Sequence, residues 1–157
     1  GNDISALDET NFLELDNDAE ILQGFGRPSD ESLLHLTIYR LRPKARCILY
    51  SQSVAGLNLA DRKYIDGSID LTGYEALKSI EGIERFDQTV SIPLIDNTSD
   101  QVAHSHVLAN VLSDNPTASG IFIRRHGLYT WGETVEQARK HVEVLEFLFE
   151  VERQKDK

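Results

Sequence analysis

Ile121-Phe122-Ile123-Arg124-Arg125-His126-Gly127-Leu128-Tyr129-Thr130-Trp131-Gly132-Glu133-Thr134 is the stretch on which the fold turns. An apolar run ends in two arginines, a His-Gly pair supplies a bend, an aromatic run returns, and Thr134 stands where a helix opens. The pattern predicts paired strands over 120–125 and 128–131, with one imidazole at a sharp turn between buried elements. A neutral histidine in such a place can ligate a metal through one nitrogen while a backbone partner fixes the other. It can equally be a structural histidine of a tight turn, so residue chemistry alone leaves both readings of His126 open.

Downstream, Thr134 with Gln137 forms a capping box, and Val135, Ala138, Val142, Leu145 and Phe149 recur at helical spacing, widened by Leu148. Upstream, 100–114 reads as a helix broken by Asn115-Pro116, and 89–95 as a strand in which Pro93 implies an edge or a bulge. Residues 46–52 predict a strand, 54–59 a short helix, 63–65 a brief strand before a turn at Asp66-Gly67, and 71–80 a helix. Ser29 or Asp30 caps a helix running to about Arg42, which Pro43 ends. Gln23 to Pro28 reads as a loop, and 12–15 as an edge strand after an acidic start. Strands and helices mix without a regular βαβ repeat, which predicts an α/β domain with a largely antiparallel sheet covered by helices.

The 157 residues, 40% hydrophobic, suit a single domain and one core. A formal charge of -10 disfavours nucleic acid and anionic membrane surfaces, and the clusters Arg42, Lys44, Arg46 and Arg124, Arg125 suffice only for a small anion. The lone Cys47 excludes an internal disulfide. No apolar run approaches the roughly 18 residues of a membrane span and the acidic start lacks the features of a secretion signal, so a cytoplasmic location is the expectation.

Arg124-Arg125-His126-Gly127, with Tyr129 and Trp131-Gly132 following, resembles the C-terminal signature of the class II aldolase/adducin family, within it the methylthioribulose-1-phosphate dehydratase branch. The similarity runs from about Phe12 to Glu152 and is densest from Phe86 to Phe149. The resemblance implies a three-layer α/β/α domain, commonly assembled as a cyclic homotetramer with active sites near subunit interfaces, and a zinc-dependent lyase of methionine salvage acting on a sugar phosphate. His126 falls on a zinc-ligand position. The other two ligands form a His-x-His at the end of a strand in the family; here the segment reads Tyr50-Ser51-Gln52, followed by the retained Ser53. A phenol with an ordinary pKa of about 10 and a neutral carboxamide are poor zinc donors, so tight zinc binding is not expected. Glu75 falls on the position of the catalytic glutamate, a general acid/base; its alternative is an ordinary exposed helix carboxylate.

Pro28-Ser29-Asp30-Glu31, with His35 beyond it, resembles the family's element beside the substrate phosphate, which makes Ser29 and Glu31 anion-site candidates. Asp30 replaces a serine there and adds charge that repels phosphate. Arg124 and Arg125 are further anion candidates, or else pair with carboxylates around the turn. The family's N-terminal helix and phosphate loop are expected to be absent. His104-Ser105-His106 mimics the missing motif but lies in a helix, where residues two apart point about 200° away from each other; both imidazoles are expected in solvent. Two functions follow: a dehydratase-like lyase with an altered metal site, or a noncatalytic scaffold associating with itself or with an intact paralogue.

Overall fold

The computed structural model describes residues 14–15, 21–23 and 32–155. Strands β3 (Cys47–Ser51), β4 (Ser68–Leu71), β5 (Val90–Ile95), β6 (Gly120–Ile123) and β7 (Gly127–Gly132) form a sheet in the order β3-β7-β6-β5-β4. Only β5 and β6 run parallel; the other pairs are antiparallel. A separate short ladder joins β1 (Glu14–Leu15) to β2 (Ile21–Gln23). The helices are α1 (Ser32–Leu41), α2 (Val54–Arg62), α3 (Gln101–Asp114) and α4 (Val135–Lys155).

Strand alternation divides the core into two layers of packing. Ile48, Ile121, Ile123, Tyr129 and Trp131 face α1 and α3, where they meet Leu34, Ile38, Leu108 and Leu112. Phe122 and Leu128 face the other way, against Leu59 of α2 and Leu145, Leu148 and Phe149 of α4. Cys47 and Leu49 join Ala138 and Val142 on that same face. The Phe122 and Phe149 rings meet edge to face at 6.0 Å, a geometry worth about 0.5–1.5 kcal/mol beyond area burial. The result is the α/β/α sandwich with a mostly antiparallel sheet that the sequence predicts. Among the described residues no helix is long and apolar enough to cross a membrane.

Four local expectations are corrected. Residues 63–65 are not a strand: α2 continues to Arg62, a 3-10 turn covers Tyr64–Asp66, and Ile65 is 94% exposed. The strand begins instead at Ser68, with Ile69 and Leu71 turned inward and Ser68 and Asp70 outward. The helix expected over 71–80 is only a 3-10 turn, Glu75–Ser79, because β4 runs through Leu71 and Gly73 adopts φ 88. Pro93 lies in a strand paired on both sides, not at an edge. Leu94 N donates to Gly67 O, which leaves Pro93 at a non-hydrogen-bonded position of the β4 ladder, and pairing with β6 starts only at Leu94. His104 is buried on α3 instead of solvated, whereas His106 is exposed, as i and i+2 positions on opposite helix faces require.

Candidate functional site

The β6–β7 turn is built to present His126. Arg125 takes a left-handed conformation at φ 61, and His126 N donates to Ile123 O at 2.9 Å. Gly127 follows at φ 156, where an added Cβ would lie 2.5 Å from Ser51 O and 2.6 Å from Tyr50 Cε1. Glycine thus lets the turn press against the end of β3, whose register sets Tyr50 opposite Tyr129.

What assembles there is an aromatic cluster. The Tyr50 hydroxyl donates to the His126 carbonyl at 2.8 Å, and the two rings lie 5.1 Å apart. His126 Nε2 and the Tyr129 hydroxyl are hydrogen-bonded at 3.1 Å, with their rings nearly parallel. Tyr129 also contacts Tyr50 at 5.1 Å and the edge of His35 at 5.7 Å. Gln52 is exposed, one residue beyond the end of β3, which closes earlier than the sequence pattern suggests.

The remaining candidates lie elsewhere. Glu75 is exposed and pairs with Lys78 at 3.3 Å, and its turn is anchored through Leu77 and Ile80 in the α2/α4 layer. Tyr74 ties that turn to the end of α4, donating to Glu152 at 3.0 Å. The cluster at Tyr50 and Tyr129 faces the α1/α3 layer instead. Arg124 bonds Asp61 at 3.0 Å, lies 3.6 Å from Asp96 and covers the Tyr64 ring at 3.9 Å, while Arg125 reaches the same Asp61 at 3.6 Å. Both arginines therefore face carboxylates of the chain's own. Ser29 and Glu31, like Asp30, lie outside the described residues.

Two polar residues of α4, neither a site candidate from the sequence, join that helix to the two ends of the sheet. Glu146 of α4 accepts from Ser51 at 3.1 Å and from Ser53, the α2 cap held at φ 42. Burial pushes its carboxyl pKa up, and the two serine hydrogen bonds hold it partly down. Its place four residues after Val142 and three before Phe149, inside the apolar stripe, was the available signal. His141, buried on the same helix, bonds Trp131 O through Nδ1 at 2.8 Å and accepts from Glu81 N through Nε2 at 3.2 Å. This network assigns a neutral ring protonated at Nδ1. Burial holds its pKa low, against the opposing pull of the Trp131 carbonyl and the Glu81 charge.

A catalytic zinc site typically uses three donors drawn from imidazole, thiolate and carboxylate. Here one imidazole, His126, stands with a phenol whose proton is committed to a main-chain carbonyl, and with an exposed carboxamide. Among the described residues no three His, Cys, Asp or Glu side chains form a metal-binding group. The donor set at Tyr50, Gln52 and His126 does not fit zinc.

The sandwich with its strand-end histidine belongs to a class of α/β proteins built on a mostly antiparallel sheet. Residues 1–152 match the Class II Aldolase and Adducin N-terminal domain, and the chain belongs to that family. It is 38% identical over 152 residues to the methylthioribulose-1-phosphate dehydratase of Pseudoalteromonas translucida, covering 97% of this chain and 72% of that protein. To the enzyme of the same name from Serratia proteamaculans it is 37% identical, covering 99% of this chain and 76% of the relative. Among solved structures, YgbL of Escherichia coli superposes with a TM-score of 0.63 at 21% identity, over 96% of this chain and 68% of that one. The l-fuculose-1-phosphate aldolase of Thermus thermophilus gives 0.60 at 17%, over 88% and 66%. These two structural likenesses establish the fold.

Proposed function

We propose that this chain is a methylthioribulose-1-phosphate dehydratase-like protein of methionine salvage ancestry in which the zinc-dependent lyase activity is lost, and that the retained cytoplasmic scaffold serves association with copies of itself or with an intact paralogue. One observation carries the reading: the Tyr50 ring and hydroxyl close over His126 where the family brings two further imidazoles. A hydrogen bond links the His126 imidazole to the Tyr129 hydroxyl, and among the described residues no three His, Cys, Asp or Glu side chains gather into a metal-binding group there. Arg124 and Arg125, engaged by Asp61 and Asp96, offer little to a phosphate.

The test is turnover. Purified protein supplied with methylthioribulose 1-phosphate and added zinc is expected to release no dehydrated product above the uncatalysed rate. Sustained turnover that vanishes in His126→Ala would refute the proposal.

The second reading, a lyase with an altered metal site using His126, Glu75 and Tyr50, draws on the identity to dehydratases over nearly the whole chain. It requires Glu75 to leave Lys78 and act as an acid/base on substrate. Glu75→Gln separates the two readings: it abolishes turnover in the second and changes nothing in the first.

A further inference from the structure

β7 starts at Gly127 beside His126, and four residues along it, about 13 Å at the rise of a strand, Trp131 reaches a different feature. An open cavity of about 350 Å³ lies at this end of the sheet, between the α1–β3 loop, the loop after α3 and the start of α4. Its volume falls in the range that holds small organic ligands. Nothing in the proposed function uses it, and the case for it stands whether or not the chain is a lyase.

Its lining carries both signs of charge. The α1–β3 loop contributes Arg42 and Lys44; the segment after the Glu75–Ser79 turn contributes Glu81 and the β7–α4 junction Glu133; Trp131, Pro43 and Ala118 supply apolar surface. The Arg42 guanidinium is clamped by main-chain carbonyls. Nε donates to Ala118 O at 3.2 Å, Nη2 to Leu112 O and Asn115 O at 3.3 and 2.6 Å, and Nη1 to Leu41 O at 3.0 Å. Those bonds cap the end of α3, and structural capping alone would account for them. They also leave one Nη1 hydrogen uncommitted and the cation facing no carboxylate among the described residues. The guanidinium lies 5.7 Å from the Trp131 ring, and the indole N–H makes no hydrogen bond among the described residues. Lys44 and Glu133 are exposed and form no ion pair there. Opposite charges thus face one cavity without neutralising each other, although the chain elsewhere pairs such groups readily.

We propose that this cavity binds a small zwitterion of the α-amino-acid class, its carboxylate toward Arg42, Lys44 and the Trp131 indole N–H, its ammonium toward Glu81 and Glu133, and its apolar side chain over Trp131, Pro43 and Ala118. A simple anion would meet two carboxylates and a simple cation two basic groups. Only a ligand carrying both charges uses both sets of groups.

Trp131 is the sole tryptophan of the chain, so its emission reports occupancy directly. Valine, leucine and phenylalanine are titrated into the full chain, followed by the N-acetyl acid and the amide of whichever binds. The expected result is a saturable emission change for at least one amino acid and at least tenfold weaker binding of both capped forms, the loss of one charge-assisted hydrogen bond. Lys44→Ala and Glu133→Gln, surface changes outside the core, should each weaken binding with the circular dichroism spectrum unchanged. Absence of saturable binding up to about 10 mM for all three amino acids overturns the proposal. So does a capped form that binds as well as its parent, or a pair of variants that bind as well as the wild type.

Discussion

The two ends of the central sheet have opposite characters. At the end that carries His126, the chain's own rings and hydroxyls meet one another, and Tyr50 lies on the turn that Gly127 makes possible. At the end that carries Trp131, a cavity stays open and charged groups face it unpaired among the described residues. A family histidine can therefore keep its sequence position while aromatic side chains of the chain itself pack against it. A site with no motif to announce it can keep the exposed donors and acceptors that recognition needs.

The comparison breaks most readily at Gly127. Gly127→Ala forces a Cβ onto Ser51 O and Tyr50 at positive φ, and the expected loss is about 3 kcal/mol in denaturant unfolding. Gly82→Ala, also at positive φ but with nothing within 4 Å, is the control and should cost about 1 kcal/mol. Equal losses would mean that close approach to Tyr50 is not what the glycine provides.

Next comes His141, which ties α4 to the end of β7 near the cavity. His141→Ala leaves Trp131 O and Glu81 N unpaired, with an expected loss of about 2 kcal/mol. The wild type carries a pH signature as well. Because the folded-state pKa is held low, the unfolded chain takes the proton first. The histidine's contribution is present above about 6.5, the ordinary value, and is lost as pH falls through the folded-state pKa. A stability profile of His141→Ala that keeps the wild-type slope in that window would contradict the assignment.

A smaller effect sharpens the other end. Tyr50→Phe keeps the ring contacts and removes one hydroxyl from the His126 carbonyl, so about 1 kcal/mol should be lost. Glu146 should give a slope of opposite sign to that of His141. Its raised folded-state pKa makes its contribution complete below the ordinary carboxylate value and lost as pH rises through the folded pKa. Glu146→Gln keeps an acceptor for Ser51 and Ser53 and should flatten that decline, which pH-dependent thermal unfolding reads directly.

The sequence exposed most of what regular spacing can encode. The β6–β7 pair, the capping of α4 by Thr134 and Gln137, and the helix ending before Pro116 follow from period and turn chemistry. Residues 71–80 misled because their apolar spacing fits a helix while Gly73 takes a conformation that breaks one. Pro93 misled because a proline is excluded only from the hydrogen-bonded positions of an interior strand, and register cannot be read from one chain. Within the candidate site, Tyr50 and His126 were legible as neighbours through the family pattern. The bond between them was not, since it joins a side chain to a main-chain carbonyl 76 residues away. Glu146 and His141 were hidden in plain amphipathic periodicity, as polar members of an apolar stripe.

The measurement that bears most directly on the proposed loss of the metal site is zinc content by elemental analysis of the wild type and of Tyr50→His/Gln52→His, purified side by side in the same zinc-supplemented buffer. Restoring two imidazoles next to His126 should give a variant holding about one zinc per chain, the complement of a three-donor catalytic site, and a wild type holding none in stoichiometric amount. Stoichiometric zinc in the wild type, lost in His126→Ala, would contradict the account.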